Sequence, residues 1–574
     1  MAARLTTFVV VAIVAATLIA GLIVGAQRDD SDGPVDLIVH NATVYTADGD
    51  GTMAEAVAIR GNQVLRVGGE REILRLRRPQ TTLIDARGGA VLPGFNDAHV
   101  HFIAGGLNLD KVDLLGARTI EEILQRIGAW AGANPDSPWV LGRGWQYEAF
   151  PGVLPNRHML DALVSDRPAL LLSHDGRMAW VNSAALKLAR ITRRTPNPPG
   201  GYIAKDPTGD PTGVLEETAI ALVGRLAPKP TRDERLRALR AAIGEAHRNG
   251  ITSVQNAGGS PDDFELYAEA RRAGDLRVRV YSAMALGHEF TDDDRARLAQ
   301  ASRLYPDDPL FKTGAVKLWL DGSIGAQTAA MLEPYATGDK AGEPAIAPDD
   351  LNRMVRLIDA EGWQVIVHAA GDRAVRMALN AFEHAARSNA KPERGRRHRI
   401  EHVETADSSD LARFGALGVI ASLQPILGYP GDRWLDARTK SIGVERAARG
   451  WAYNSIAAAD GRLAFGSDWP SAALDPMLAL QAAVMRRTAD GLPEGGWVPE
   501  EKLTLKRAID AYTSGAAWAS FDEQRKGTLA AGMLADLVVL STDIFDRPRT
   551  LAGTQVAYTI FDGRVVYSRE RGSN

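Results

Sequence analysis

Hydrophobic and polar positions divide the chain into three textures. The first is residues 5–26, LTTFVVVAIVAATLIAGLIVGA, which carry no charge. Phe8 to Ala26 is 19 residues with one threonine, close to the ~20 that cross a bilayer and longer than the roughly 7–15 of a signal-peptide core. Arg4 precedes the run, and Asp29, Asp30 and Asp32 follow it. Positive charge stays on the cytoplasmic side, so residues 1–34 predict a membrane anchor with the body exported. Val24-Gly25-Ala26 keeps a cleaved signal peptide, and hence a soluble periplasmic or secreted body, as the alternative.

The second texture is short β-branched runs broken by Gly, Asn and Asp. It fills residues 35–89 (VDLIVHNATVYT, AEAVAIRGNQVLRVG, TTLIDARGG) and returns over 525–574 (ADLVVLS, VAYTIFDGRVVY). One small β-sandwich domain built from both chain ends accounts for this. The third texture alternates strand and helix. Eight apolar runs occupy residues 90–101, 250–258, 277–286, 313–323, 363–372, 398–404, 418–425 and 462–470. Helix-periodic stretches such as TRDERLRALRAAIGEAHRNG lie between most of them. Strands apolar on both faces, alternating with helices, imply an α/β fold with a parallel sheet. Eight units predict a (β/α)8 TIM-like barrel over 90–524. Residues 107–247 are too long for a crossover and predict an insertion that caps the barrel mouth.

Composition narrows the chemistry. Hydrophobic residues at 45% and charged residues at 24% exclude a mostly disordered chain. A net charge of −4 gives no basic excess for nucleic acid. Cysteine is absent, so disulfides, thiolate metal sites and cysteine nucleophiles are excluded. Neither a Gly-x-Ser-x-Gly elbow nor a Walker-type phosphate loop occurs. Any metal must sit on His, Asp, Glu or a modified Lys.

Those residues collect at the ends of the predicted barrel strands, where such barrels build their active sites. His99 and His101 end the first run, and residues i and i+2 of a strand point to one side. Lys317 lies within the fourth run between Val316 and Leu318, where a lysine is costly unless paired or chemically changed. His368 ends the fifth, His402 the sixth and Asp468 the eighth. Four imidazoles and a carboxylate suit Zn2+ or another divalent first-row metal. His40, His158, His247, His288, His384 and His398 fall outside strand ends or in helices and read as structural.

PGFNDAHVH, VIVHAAGD, IEHVE and GSDWP match, in order, the metal motifs of the metal-dependent amidohydrolase superfamily. VKLWLDGSIGAQTAAMLEPY, DGRMAWVNSAAL and GTLAAGMLADLVVLSTD resemble signatures of its family 3 branch, which includes N-substituted formamide deformylase-like proteins. The resemblance covers about residues 35–570. It implies that His99, His101 and Asp468 hold one metal, that His368 and His402 hold a second, and that Lys317, carboxylated by CO2, bridges them. A desolvated lysine has a lowered pKa, and its neutral amine can attack CO2. The implied activity is hydrolysis of a C–N bond in a small amide, formamide or N-acyl amine. The metals would activate the attacking water, and Asp468 would carry its proton. An esterase, lactonase or deaminase on the same centre, or a membrane-tethered binding protein, are the alternatives.

Two positions depart from the branch. Arg177 stands where many relatives have His, and Gln327 where relatives often have Arg. Arg177 could clamp a substrate carboxylate. His174, Asp321 and Glu216 are the other candidate substrate-binding residues; Asp321 could instead orient Lys317 or its loop.

Overall fold

The computed structural model describes residues 34–150, 154–174, 176–428, 438–488, 490–546 and 548–569. The apolar run 5–26 lies outside the described residues. Among the described residues no helix is long and apolar enough to cross a membrane.

Each of the eight apolar runs of the middle contributes one strand to a single eight-stranded parallel sheet. In chain order they are Phe95–Val100, Ile251–Gly259, Arg279–Ala285, Phe311–Trp319, Gln364–Ala369, Arg399–His402, Ile420–Leu423 and Arg462–Phe465. Sequential strands are neighbours throughout. Closure comes at the strand ends: Val100 bridges Trp469, the His101 N–H donates to Trp469 O at 2.8 Å, and the Asp468 N–H donates to His99 O at 2.7 Å. The chain forms a (β/α)8 barrel, and the same contacts that close it hold the first and last strands' polar residues together.

The run 90–101 divides. Ala90–Pro93 pairs with Leu537–Leu540 and Thr43–Tyr45 in the small domain, and only Phe95–Val100 enters the barrel. Gly94 marks the crossing, where an added Cβ would stand 2.3 Å from Thr252 Oγ1. The small domain has a four-stranded and a six-stranded sheet. Val39, Val57, Val91, Leu537, Val539 and Ile560 pack in one core, so both chain ends are needed to bury it.

Between the first two barrel strands, Val112 to Glu217 build a separate six-stranded sheet. Successive side chains along its strands point to opposite faces. Leu171 and Trp180 bury into one cluster and Leu170 and Ala179 into another, on opposite faces. This sheet therefore has cores of its own, whereas the helix Arg232–Arg248 at the end of the 107–247 stretch packs Leu239, Ala242, Ile243 and Ala246 into the barrel core.

Candidate metal centre

The ligand candidates stand at the carboxyl ends of barrel strands one, four, five, six and eight. His99 lies in the first strand and His101 one residue past its end, before the helix Phe102–Leu109; their ring centroids are 5.6 Å apart. His99 is buried, whereas the His101 side chain is one-third exposed. The eighth-strand extension brings Asp468 to them: its Oδ1 lies 3.3 Å from His99 Nε2 and 3.4 Å from His101 Nε2. The ligand atoms of these three residues all lie within 4.8 Å of one another. Two ligands each about 2.0–2.1 Å from a shared tetrahedral ion stand about 3.3 Å apart, so the two edges that Asp468 makes with the histidines match such a site.

Backbone geometry makes this convergence possible. Asp468 has φ +59°, His402 φ +73° and Val403 φ +45°, left-handed values that are uncommon outside glycine and cluster at functional sites. At Gly466 an added Cβ would stand 2.4 Å from the His99 backbone nitrogen and 2.8 Å from Asp97 Oδ1. Gly466→Ala is therefore expected to cost about 1–3 kcal/mol of stability and to lower metal content, read by thermal unfolding and elemental analysis.

His402 reaches both halves of the centre. Its ring centroid is 5.0 Å from that of His99 and 4.4 Å from that of His368. His368 Nε2 lies 3.1 Å from Gly322 O, so that nitrogen carries the proton and Nδ1 is left with a lone pair. Lys317 is 1% exposed, with Nζ 5.5 Å from the Trp319 ring centroid. Its charge acts on His99, His368 and His402.

Protonation states follow from burial and neighbours. Burial opposes charge on Asp468, yet hydrogen bonds from His101 and His99 hold its carboxyl well below the usual carboxylate range. Burial, reinforced by Lys317, pushes His368 down to about 4. Burial, with His368 and His99 beside it, holds His402 well below the usual imidazole range. Burial pulls Lys317 down to about 8 against the attraction of Glu401 and Asp468. Burial and Lys317 oppose charge on His99, but Glu401 and Asp468 outweigh them and raise its pKa. An ionised carboxylate, the neutral imidazoles of His368 and His402, and a lysine amine of lowered pKa suit a divalent cation, whose binding would displace the proton from His99 Nε2.

The four other candidates are placed differently. Arg177 donates to Glu217 Oε1 at 2.7 Å and to Thr328 Oγ1 at 2.6 Å. It joins the insertion to the loop after the fourth barrel strand, 3.1 Å from where a Cβ on Gly322 would be. Asp321 is held by the backbone: it accepts N–H bonds from Ala330, Ala370 and Gly371, each at 2.9 Å. That carboxylate ties its loop to the end of the fifth strand. His174 packs edge-on against Tyr147 within the insertion, ring centroids 5.4 Å apart. Glu216 pairs in register with Met178 and Tyr202, and partial burial raises its carboxyl pKa.

Two residues escaped the sequence reading. Glu401 Oε2 lies 2.5 Å from His99 Nδ1, and Arg399 Nε donates to Glu401 Oε1 at 2.9 Å, all within the barrel interior. The signal was the run HRIEHVE, in which charged residues alternate along a strand too buried to leave them without partners.

Comparison with known proteins agrees with this geometry. The sequence profile of the Amidohydrolase family matches residues 82–567. "Protein LONG AFTER FAR-RED 3" of Arabidopsis thaliana is 32% identical over 549 residues, covering 93% of this chain and 91% of that protein. The N-substituted formamide deformylase of Arthrobacter pascens is 28% identical over 550 residues, covering 93% and 98%. An uncharacterized metal-dependent hydrolase from Pyrococcus furiosus superposes with a TM-score of 0.67 at 26% identity, covering 87% of this chain and 97% of that one. The family implies a divalent metal, and the donors at the barrel mouth fit one. The chain belongs to the amidohydrolase family, in its family 3 branch, and is a metal-dependent hydrolase.

Proposed function

We propose that the protein hydrolyses non-peptide carbon–nitrogen bonds of small amides, formamides or N-acyl amines, using one or two Zn2+ ions. His99, His101 and Asp468 would hold one ion and His368 and His402 a second, with carboxylated Lys317 between them. The observation that carries this reading is the triad of two imidazole nitrogens within 3.4 Å of one ionised carboxylate oxygen. The similarity to an N-substituted formamide deformylase supports the choice of bond.

A bound divalent metal supplies Lewis acidity, polarising the scissile carbonyl and making water a better nucleophile near neutral pH. The chain's own residues do the rest. Asp468 accepts the proton of the attacking water at a carboxylate oxygen and returns it to the departing nitrogen. Asp321, by anchoring its loop, fixes Gly322 O against His368 Nε2. Arg177 stands at the junction of insertion and barrel and is the candidate for contact with the part of the substrate away from the bond. His174 and Glu216 would extend that surface on the insertion.

The test is elemental analysis of the purified protein combined with a turnover screen of N-formyl and N-acyl amines beside their ester analogues. One to two metal equivalents and turnover of at least one amide are expected. Turnover of esters alone would replace this reading with an esterase. Bound metal without turnover of any C–N or C–O substrate would replace it with a binding protein. The double variant His99→Ala, His101→Ala is expected to lose at least one equivalent, and full occupancy there would remove the ligand assignment. We also propose that residues 5–26 anchor an exported body. A chain lacking the first 26 residues should then be soluble and active, and a C-terminal reporter that works only in the cytoplasm would overturn the orientation.

A further inference from the structure

We propose that Glu401, clamped by Arg399, is a positioning residue that fixes which ring nitrogen of His99 faces the metal site and so sets the affinity of the ion shared with His101 and Asp468. The inference rests on the reading of His99 as a metal ligand and adds to it a device the ligand set alone does not contain.

The geometry is a relay across the barrel interior. Glu401 Oε2 stands 2.5 Å from His99 Nδ1. An ionised carboxylate only accepts, so Nδ1 carries the proton and donates it. When an ion binds, the ring proton given up is then the one on Nε2, the atom 3.3 Å from Asp468 Oδ1, and its lone pair turns to the metal site. A carboxylate behind a metal-binding histidine fixes its tautomer and ring orientation and raises its basicity. Here the carboxylate is itself fixed. Its other oxygen accepts from Arg399 Nε at 2.9 Å. Arg399 Nη1 donates to Gln255 Oε1, and Nη2 donates to Ala98 O at 2.6 Å and to Ser422 Oγ at 2.9 Å. Those partners sit on barrel strands one, two and seven, so the guanidinium fork is held from several sides. Arg399 and Glu401 are fully buried and His99 is 1% exposed.

Strand geometry explains how one short strand serves two tasks. Arg399 and Glu401 are two residues apart and face the interior together. His402 follows directly and would face away on a regular strand. Its φ of +73° turns it toward the centre instead, where its ring meets those of His99 and His368. A buried carboxylate with no cation beside it would be strongly unfavourable. Arg399 offsets that charge, so Glu401 can remain an acceptor for His99 without itself taking a place among the ligands.

The experiment reads metal binding, not turnover. The full chain is stripped with a chelator and titrated with Zn2+ against a chromophoric competitor, then loaded with Co2+ for its visible spectrum. Glu401→Gln is expected to weaken, by about 10–100-fold, the equivalent that the His99→Ala, His101→Ala variant removes, and to change its Co2+ absorption. Arg399→Lys keeps a cation beside Glu401 but loses the fork, and a smaller loss at the same equivalent is expected. If Glu401→Gln does not fold, Arg399→Lys decides on the same terms. A third reading needs no altered relay: in the Zn2+-loaded wild type, the ring nitrogen resonances of His99, identified by their loss in His99→Ala, should show Nδ1 protonated. Unchanged affinity and Co2+ spectrum in Glu401→Gln, or a protonated Nε2 in the wild type, would overturn the inference and leave the hydrolase reading standing. A wild type that takes up no metal would overturn both.

Discussion

Asp468→Asn is expected to lower turnover by about 10²–10⁴-fold, the usual worth of general acid–base help, with a much smaller change in substrate affinity. Asparagine keeps the size and one carbonyl oxygen but cannot take up a proton. In the folded chain the carboxyl is held well below its ordinary range, because hydrogen bonds from His101 and His99 outweigh the effect of burial. It is therefore ionised, and available as a base, at every pH where the enzyme would work. The sign follows directly. A base with a depressed pKa loses function only as pH falls through that low value, so wild-type activity should decline on the acid side and Asp468→Asn should lack that limb. Michaelis profiles across pH measure both. Near-normal turnover in Asp468→Asn with the wild-type profile would place the proton transfer elsewhere. Glu216, whose carboxyl partial burial raises, and His174, beside Tyr147, would be examined next.

The barrel was legible because its strands are buried on both faces and read as uninterrupted apolar runs, such as QVIVHA at 364–369. The division of 90–101 between two domains was not. AVLP and FNDAHV are separated by one residue and buried throughout, and the change of sheet turns on Gly94, whose need to avoid Thr252 is a long-range contact. The insertion's sheet was hidden for the opposite reason: Gly, Pro and charged residues interrupt its strands, as in VLGRGW and PTGVLEE, so they resemble loop. At the centre, the strand period predicts His99 and His101 on one side, and the structure brings Asp468 to them within 3.4 Å. Spacing could not show that Glu401 and His402, adjacent in sequence, both turn to the same centre, because that depends on a left-handed residue in a strand. Nor could it show that Asp321 spends both oxygens on backbone N–H groups, since its three partners come from Ala330, Ala370 and Gly371.

Lys317→Ala is expected to lower activity by more than the roughly 10–100-fold typical of removing an outer partner of a metal site, with partial recovery when a short carboxylic acid is added. The lysine lies in the strand Phe311–Trp319 between the fully buried Val316 and Leu318. An ammonium there is desolvated, and the nearest anions, Glu401 and Asp468, already have partners in Arg399 and the two histidines. Burial brings its pKa down to about 8, so a free amine is far more accessible near neutral pH than for an exposed lysine. That amine can attack CO2, forming an N–C bond and losing a proton. The product is an anion whose two oxygens can face the two groups of histidines. The neutral fraction grows as pH rises through 8, so reactivation of metal-free protein should quicken with pH over that range and with added bicarbonate. The acid added to Lys317→Ala supplies the missing carboxylate from solution, whereas wild type should gain nothing from it. An unmodified ammonium at Lys317 in well-resolved density of an active, metal-loaded crystal would reject the carboxylated form. Activity independent of bicarbonate after complete metal removal and reloading would point the same way.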